Sequence, residues 1–161
     1  MYEELKKECN DLLGNEKNFL ANSSNFTSLL FHGIKSLNWV GFYFLKGDEL
    51  ILGPFQGKPA CIRIKKGKGV CGLSAERCET IVVENVHDFP GHIACDSGSN
   101  SEIVIPLIKD GKLYGVLDID SPAFSRFSKK DKVELEKLAK ILLDSSDIEE
   151  FENYYQQTTN I

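Results

Sequence analysis

Glu102-Ile103-Val104-Ile105-Pro106-Leu107-Ile108-Lys109-Asp110-Gly111-Lys112-Leu113-Tyr114-Gly115-Val116-Leu117-Asp118-Ile119 reads as two apolar strands folded back on each other. β-Branched residues crowd both arms, and Asp-Gly between them suits the type I′ turn of a two-residue hairpin. A second hairpin stands earlier. Trp39-Val40-Gly41-Phe42-Tyr43-Phe44-Leu45 turns at Lys46-Gly47-Asp48-Glu49 into Leu50-Ile51-Leu52-Gly53-Pro54. Hairpins at both ends of a strand set imply an antiparallel sheet, because parallel neighbours need long crossovers. Cys61-Ile62-Arg63-Ile64 alternates and adds a third strand, and Thr80-Ile81-Val82-Val83 a fourth.

Helical patterns flank the strands. Leu5, Cys9, Leu12 and Leu13 share one face of a helix from Tyr2 to Leu13, stopped at Gly14-Asn15. A second helix is expected over about Glu16 to Ser36, offering Phe19, Leu20, Leu29, Leu30, Ile34 and Leu37 to a core. Asn22-Ser23-Ser24-Asn25 would interrupt it or cap a fresh start. The glycine-rich turn Gly67-Lys68-Gly69-Val70-Cys71-Gly72 leads into a short helix ending near Arg77. Ser128 caps a last helix, with Phe127 as a staple and Val133, Leu135, Leu138, Ile141 and Leu142 as apolar positions. The polar tail from about Glu152 is expected to fray. The fold class that follows is α/β of the α+β type. A central antiparallel sheet of about six strands carries the terminal helices on one face. The glycine-rich turn and the long loop after Val83 close a pocket over the other. One domain spans 1–161, with a core of about 16–146.

The chain has 161 residues and a formal net charge of −5, which argues against nucleic acid or an anionic membrane as partner. No apolar run approaches the ~20 residues that span a bilayer. The start, Met1-Tyr2-Glu3-Glu4-Leu5-Lys6-Lys7, lacks the apolar core of a signal peptide, so a cytoplasmic location with reduced thiols is expected. Five cysteines, an odd number, stand at 9, 61, 71, 78 and 95. A structural disulfide framework does not follow, and no pair has zinc-finger spacing. Redox chemistry or plain burial remains. Cys9, on an apolar helix face, reads as a buried hydrophobe.

Between the fourth strand and the long hairpin lies Gly91-His92-Ile93-Ala94-Cys95-Asp96-Ser97-Gly98-Ser99-Asn100-Ser101. A polar loop with a lone thiol, fixed at both ends by a sheet, is where chemistry tends to sit. The turn at Gly67 lacks both the Gly-Lys-Ser/Thr of a P-loop and the third glycine of a dinucleotide fingerprint, so it reads as a plain helix entry. His87 and His92 invite a Cys-His pair with Cys95, or serve only as hydrogen-bonding loop residues. Asp118 and Asp120 share one strand face beside Val116, Leu117 and Ile119. Carboxylates there need a metal, an ammonium or local N–H groups, or else they cap the turn at Ser121-Pro122. Pairing Lys109 with Lys112 across the turn sets Glu102 opposite Ile119, diagonal to both aspartates. Crowded acids cannot all ionise cheaply, so at least one is expected to have a raised pKa.

Six runs together resemble the free methionine-(R)-sulfoxide reductases, which are single GAF-domain enzymes. They are Trp39 to Tyr43, Leu52 to Cys61, Val70-Cys71-Gly72, Phe89 to Ser97, Ser101 to Val104, and Gly115 to Pro122. The match runs from about Trp39 to Leu142, and Cys9 and Cys78 lie outside it. The resemblance implies a GAF fold and reduction of the R epimer of free methionine sulfoxide, with no metal or organic cofactor. It implies thioredoxin as electron donor, and members are often dimers. Residue by residue, it implies Cys95 as nucleophile, Cys61 as resolving cysteine and Cys71 as an alternative or auxiliary resolver. Glu102, Asp118 and Asp120 match the pocket acids, and Trp39 and Tyr43 the aromatic wall around the methyl group. One carboxyl kept protonated would hydrogen-bond the sulfoxide oxygen, and another would hold the ammonium. Backbone N–H groups of the Cys95 to Ser99 loop, with Asp96 and Ser97, would seat the substrate carboxylate. A non-catalytic ligand-binding GAF sensor and a thiol redox switch stay open beside this reading. A sensor is expected to sit beside an output domain, which this chain does not contain.

Overall fold

The computed structural model describes residues 1–93 and 95–157. In chain order the elements are α1 (Tyr2–Leu13), α2 (Phe19–Gly33), β1 (Trp39–Lys46), β2 (Glu49–Gly57), β3 (Arg63–Lys65), α3 (Gly69–Arg77) and β4 (Ile81–Val83). After a 3-10 turn (Val86–Asp88) come β5 (Ser101–Lys109), β6 (Lys112–Ser121), α4 (Lys129–Ser145) and α5 (Ile148–Gln157). The six strands form one antiparallel sheet in the order β3-β2-β1-β6-β5-β4. This is the α+β architecture, a central antiparallel sheet with helices packed on it, that the hairpins pointed to.

Strand alternation divides the core in two. Val40, Phe42, Phe44, Ile103, Ile105, Leu107, Leu117 and Ile119 face the helical layer, where α1, α2, α4 and α5 bury Leu5, Phe26, Leu138 and Ile148 against them. Trp39, Tyr43, Val104 and Val116 face the other way, onto Ile64 and the first turn of α3. The far side of the molecule therefore closes a full hydrophobic core, and the near side is left free to build a pocket.

Several local expectations need correction. The polar run Asn22–Asn25 neither breaks nor restarts α2, which begins at the cap Asn18. The Ser23 and Ser24 hydroxyls bond back to Leu20 O, and buried Asn22 donates to Glu16 O and Ser146 Oγ, so these side chains do not compete with the helix. Leu12, Leu20 and Val133 lie at the edges of their helical stripes and are exposed. Residues 152–157 do not fray. They continue α5, whose Phe151 and Tyr155 stack on each other and pack edge-on against Phe44. Residues 158–161 lie outside the described residues. Strand β2 runs past Pro54 to Gly57, because a register shift opposite Phe42 places Gly53 and Pro54 in a bulge that asks for no N–H from proline. Strand β3 starts at Arg63, leaving Cys61 and Ile62 in the loop before it.

The correction with most consequence lies in the long hairpin. Lys109 does pair with Lys112, but the register shifts between Leu107 and Ile108, with Leu107 opposite Gly115 and Ile108 opposite Leu113. Tyr114 is the extra residue. Glu102 consequently faces Asp120, not Ile119, and both carboxylates fall on the pocket side. Gly115 beside this bulge is a close-approach glycine: a Cβ there would lie 2.2 Å from Tyr43 O and 3.0 Å from Phe44 Cα. Because backbone cannot step aside as a side-chain tip can, Gly115→Ala is expected to destabilise the fold by about 3 kcal/mol. The urea midpoint measures this, and an unchanged midpoint would mean that the two strands are not held this close.

Candidate active site

On the free face of the sheet, three central strands supply a floor. Trp39 and Tyr43 rise from β1, Glu102 from β5, and Asp118 and Asp120 from β6. Trp39 pairs with Asp120 and Gly41 with Asp118 across β1 and β6. The Trp39 ring lies over Gly41, where any Cβ would meet it at 2.4 Å. That ring stacks on Tyr43 (5.9 Å) and Phe55 (5.3 Å) and donates from Nε1 to Lys58 O (3.1 Å). The Tyr43 hydroxyl donates to Cys61 O at 2.9 Å, so one floor residue also holds the loop that carries Cys61. Lys68, Gly69, Val70 and Cys71 at the start of α3 form one wall, and His92, Ile93, Cys95, Asp96 and Ser99 the other.

Cys61 and Cys95 are joined by a disulfide, with Cα atoms 5.5 Å apart and both residues half-buried. Cys71 is free and buried in the pocket wall. Cys9 is buried in the other core on the opposite face of the sheet, its thiol pushed up to about 12 by burial, and Cys78 is exposed at the end of α3. The pocket therefore sorts the five cysteines, separating a redox pair and a neighbour from two bystanders.

The acids are crowded where alternation would otherwise place apolar side chains. Glu102 and Asp118 are only 5% and 7% exposed, and neither carboxylate has an Arg or Lys within ion-pair reach among the described residues. Burial, with the like charge of Asp120 second, holds the Glu102 carboxyl well above the usual carboxylate range. Burial and then Glu102 do the same to Asp118, and burial and then Asp118 to half-buried Asp120. Asp118 Oδ1 has no hydrogen-bond partner among the described residues. It points to a ligand group that would satisfy it. His92 Nε2 lies 3.4 Å from Glu102 Oε2. Burial lowers the His92 pKa and raises that of Glu102, so both shifts favour the neutral forms and disfavour an ion pair. Cys71 Sγ and carboxylate oxygens of Glu102 and Asp118 lie within 4.8 Å of one another, a donor set able to take a small cation. Burial and the three acids push the Cys71 thiol well up, so it is a protonated donor here and not a ready thiolate.

Most of the residues expected to act together are thus gathered: Cys61, Cys71 and Cys95, the three acids, Trp39, Tyr43 and Asp96. Ser97 is not. It is exposed at a turn, and buried Ser99 takes its place in the wall. Asn38 Nδ2 bonds both Asp96 Oδ2 (3.2 Å) and Ser99 Oγ (3.0 Å), tying the loop to the start of β1. The loop amides are a poorer anion seat than expected. Those of Cys95, Gly98 and Ser99 donate within the loop, to Ile93 O, Asp96 Oδ1 and Asp96 O. Lys68 at the N-terminus of α3 was missed as a site residue, and it supplies positive charge on the opposite wall. His87 turns away to Asn100 Oδ1 at 2.8 Å.

Residues 26–142 match the GAF domain family. The chain is 49% identical over 137 residues to a free methionine-R-sulfoxide reductase of Escherichia coli, covering 85% of this chain and 83% of that protein. It is 49% identical over 148 residues to one of Saccharomyces cerevisiae, covering 87% and 82%. The fold superposes on free methionine-R-sulfoxide reductase from Neisseria meningitidis in complex with its substrate. That comparison gives a TM-score of 0.86 and 42% identity, covering 89% of this chain and 87% of the other.

Proposed function

The chain belongs to the free methionine-R-sulfoxide reductases of the GAF-domain family, and from that premise we propose that it reduces free L-methionine-(R)-sulfoxide to L-methionine. One observation carries the reading at the level of chemistry: the Cys61–Cys95 disulfide stands beside a pocket floored by three buried or half-buried acids. Sulfoxide reduction needs a soft nucleophile at sulfur, a proton for the oxygen, and a second thiol to clear a sulfenic acid.

In the proposed cycle the Cys95 thiolate attacks the sulfoxide sulfur, and neutral Glu102 gives its proton to the oxygen. Methionine leaves, and the oxygen remains on Cys95 as a sulfenic acid. The Cys61 thiol then attacks the Cys95 sulfur and expels water, closing the disulfide. Cys71, a buried thiol against the acids, is kept from this pairing and serves as an auxiliary thiol. Trp39 and Tyr43 receive the methyl and thioether end. Asp118, with its orphan oxygen, and Asp120 hold the ammonium. Lys68 and the free end of α3 hold the carboxylate, with Asp96 shaping the loop above it.

Two thiols supply both electrons, so the cycle as proposed calls on no metal or organic cofactor. Thioredoxin would reopen the disulfide. That requirement fits the cytosol, where such donors are kept reduced, and among the described residues no helix is long and apolar enough to cross a membrane. A homodimer is proposed on the family resemblance alone.

Gripping both charged ends makes the free amino acid the substrate. The R epimer should turn over with dithiothreitol, while the N-acetylated R sulfoxide, whose ammonium is gone, should fall at least a hundredfold in kcat/KM. This corresponds to about 3 kcal/mol for a buried carboxylate left unpaired. Chiral chromatography of the product with each substrate makes the measurement. Equal turnover of free and N-blocked sulfoxide would remove the acids from the ammonium site.

A further inference from the structure

Around the Cys61 half of the disulfide runs a basic strip that touches the pocket at Pro59, Ala60, Ile64 and Lys68, and whose outward residues the reductase reaction on its substrate does not use. Cys61 sits within Lys58-Pro59-Ala60-Cys61-Ile62-Arg63-Ile64-Lys65-Lys66-Gly67-Lys68, which has five cations and no anion in a chain of net charge −5. Lys58, Lys65, Lys66 and Lys68 are exposed and make no ion pair among the described residues; only Arg63 has one, with Glu49 at 3.1 Å. Beside Cys61, Ile62 is 67% exposed, the most exposed aliphatic side chain among the large exposed hydrophobics, and Ile93 on the Cys95 side is exposed as well. The strip runs into β3, the edge strand of the sheet. Cys95, by contrast, is followed by Asp96 and shares its pocket with Glu102, Asp118 and Asp120.

We infer that the strip 58–68, crested by Ile62, is the docking surface for an acidic-faced protein dithiol reductase, whose thiolate attacks Cys61 Sγ rather than Cys95 Sγ. Charge selects the partner and the sulfur together. Lys58 and Lys65 lie three and four residues from Cys61, within about 14 Å along an extended chain, so their pull acts on a partner close to contact and weakens as salt rises. A negative protein surface is drawn to the Cys61 side, and an attacking thiolate meets cations there but Asp96 beside Cys95. The exposed isoleucines give the encounter an apolar contact around the sulfur.

The step balances as a dithiol–disulfide exchange. The partner's first thiolate bonds to Cys61 Sγ, the Cys61–Cys95 bond breaks, and Cys95 leaves as the thiolate needed for the next turnover. The partner's second thiol then attacks its own first sulfur, closing the partner's disulfide and releasing Cys61. Two electrons pass to the enzyme, and each released thiolate takes a proton from solvent as its pKa demands.

The inference rests on the thiol-dependent cycle proposed above, but its test contains no methionine sulfoxide. The oxidised full chain is itself the substrate, so failure of either reading shows separately. Oxidised wild type, the Lys58→Glu/Lys66→Glu double variant and Ile62→Ser are mixed with a reduced thioredoxin of net negative charge, and separately with dithiothreitol. Thiol release is followed by acid quench and alkylation. At low salt the double variant should be reduced by thioredoxin about tenfold more slowly than wild type, with the gap closing at high salt. Ile62→Ser should be slower at both salts, and dithiothreitol should reduce all three alike. With a thioredoxin whose second active-site cysteine is serine, the quenched adduct should map to Cys61 with Cys95 alkylated. An adduct on Cys95 overturns the inference, as do equal thioredoxin rates or a parallel loss with dithiothreitol. A double variant that keeps its thioredoxin rate but loses affinity for a duplex DNA probe overturns it in favour of a polyanion site.

Discussion

Cys95→Ser, mixed fully reduced and in excess with free methionine-(R)-sulfoxide, should yield no methionine above one-thousandth of the wild-type single-turnover rate. A serine hydroxyl has neither the softness nor the acidity to attack sulfur at neutral pH, so the whole nucleophilic step is lost. The one thiol that could substitute from within the pocket is Cys71. Burial and three neighbouring acids hold it protonated, and it is set into the wall at the start of α3. Cys61→Ser separates the two halves of the cycle. It should release about one methionine per protein at near the wild-type rate and then stall with thioredoxin, because the sulfenic acid on Cys95 has lost its partner in the observed disulfide. Rapid-quench measurement of methionine, with a sulfenic-acid probe on the stalled variant, reads both effects. Stoichiometric methionine from Cys95→Ser would transfer the nucleophile to Cys71.

The fold was legible where alternation was strong. Trp39 to Leu45 and the two arms of the long hairpin could only be strands, and Asp110-Gly111 could only join them tightly, with φ of 51° and 76° in the turn itself. What alternation cannot reveal is a bulge. Nothing in Leu113-Tyr114-Gly115 announces that Tyr114 will be passed over, yet that single residue decides whether Glu102 meets Ile119 or Asp120. The bulge is fixed by contacts distant in sequence, where Gly115 lies against the backbone of Tyr43 and Phe44.

The site was legible in the same uneven way. Two aspartates on an apolar strand are costly enough to be noticed, and a thiol in a polar loop between strands invites chemistry. The pairing of Cys61 with Cys95 came from the family resemblance and not from spacing. Lys68 was hidden because a lysine in a lysine-rich turn carries no contrast; only the placement of α3 over the sheet brings it into the wall. Ser97 and Ser99 are interchangeable to composition, and the turn at Ser97 with Asn38 beneath it is what buries one and exposes the other. The helix α5 is hard to read because its first turn is acidic and its inner face is carried by only three residues, Ile148, Phe151 and Tyr155.

Glu102→Gln should slow methionine release in a single turnover about a hundredfold while raising the stability of the fold, and the two effects have one cause. General acid catalysis commonly contributes at least that factor, and glutamine keeps the shape and a hydrogen bond but has no proton to give. Buried and set opposite Asp120, Glu102 holds its proton well above the usual carboxylate range. The wild-type rate should therefore persist at neutral pH and fall on the alkaline side as that proton is lost, and the variant should lack this limb. The sign for stability follows from proton linkage. The folded carboxyl keeps a proton that the unfolded chain releases near pH 4. Its contribution is thus full below that value and is lost as pH rises through the folded pKa. The variant has no such loss, so its Tm should exceed that of wild type by more at pH 8 than at pH 5, measured on the oxidised protein so that Cys61 and Cys95 do not titrate. Asp120→Asn should lose rate at least tenfold, with a smaller gain in stability because Asp120 is only half-buried. If both variants ran at wild-type rate with unchanged Tm profiles, these carboxyls would be ionised and idle, and the sulfoxide oxygen would need another proton donor, for which His92, 3.4 Å from Glu102, is the nearest neutral candidate.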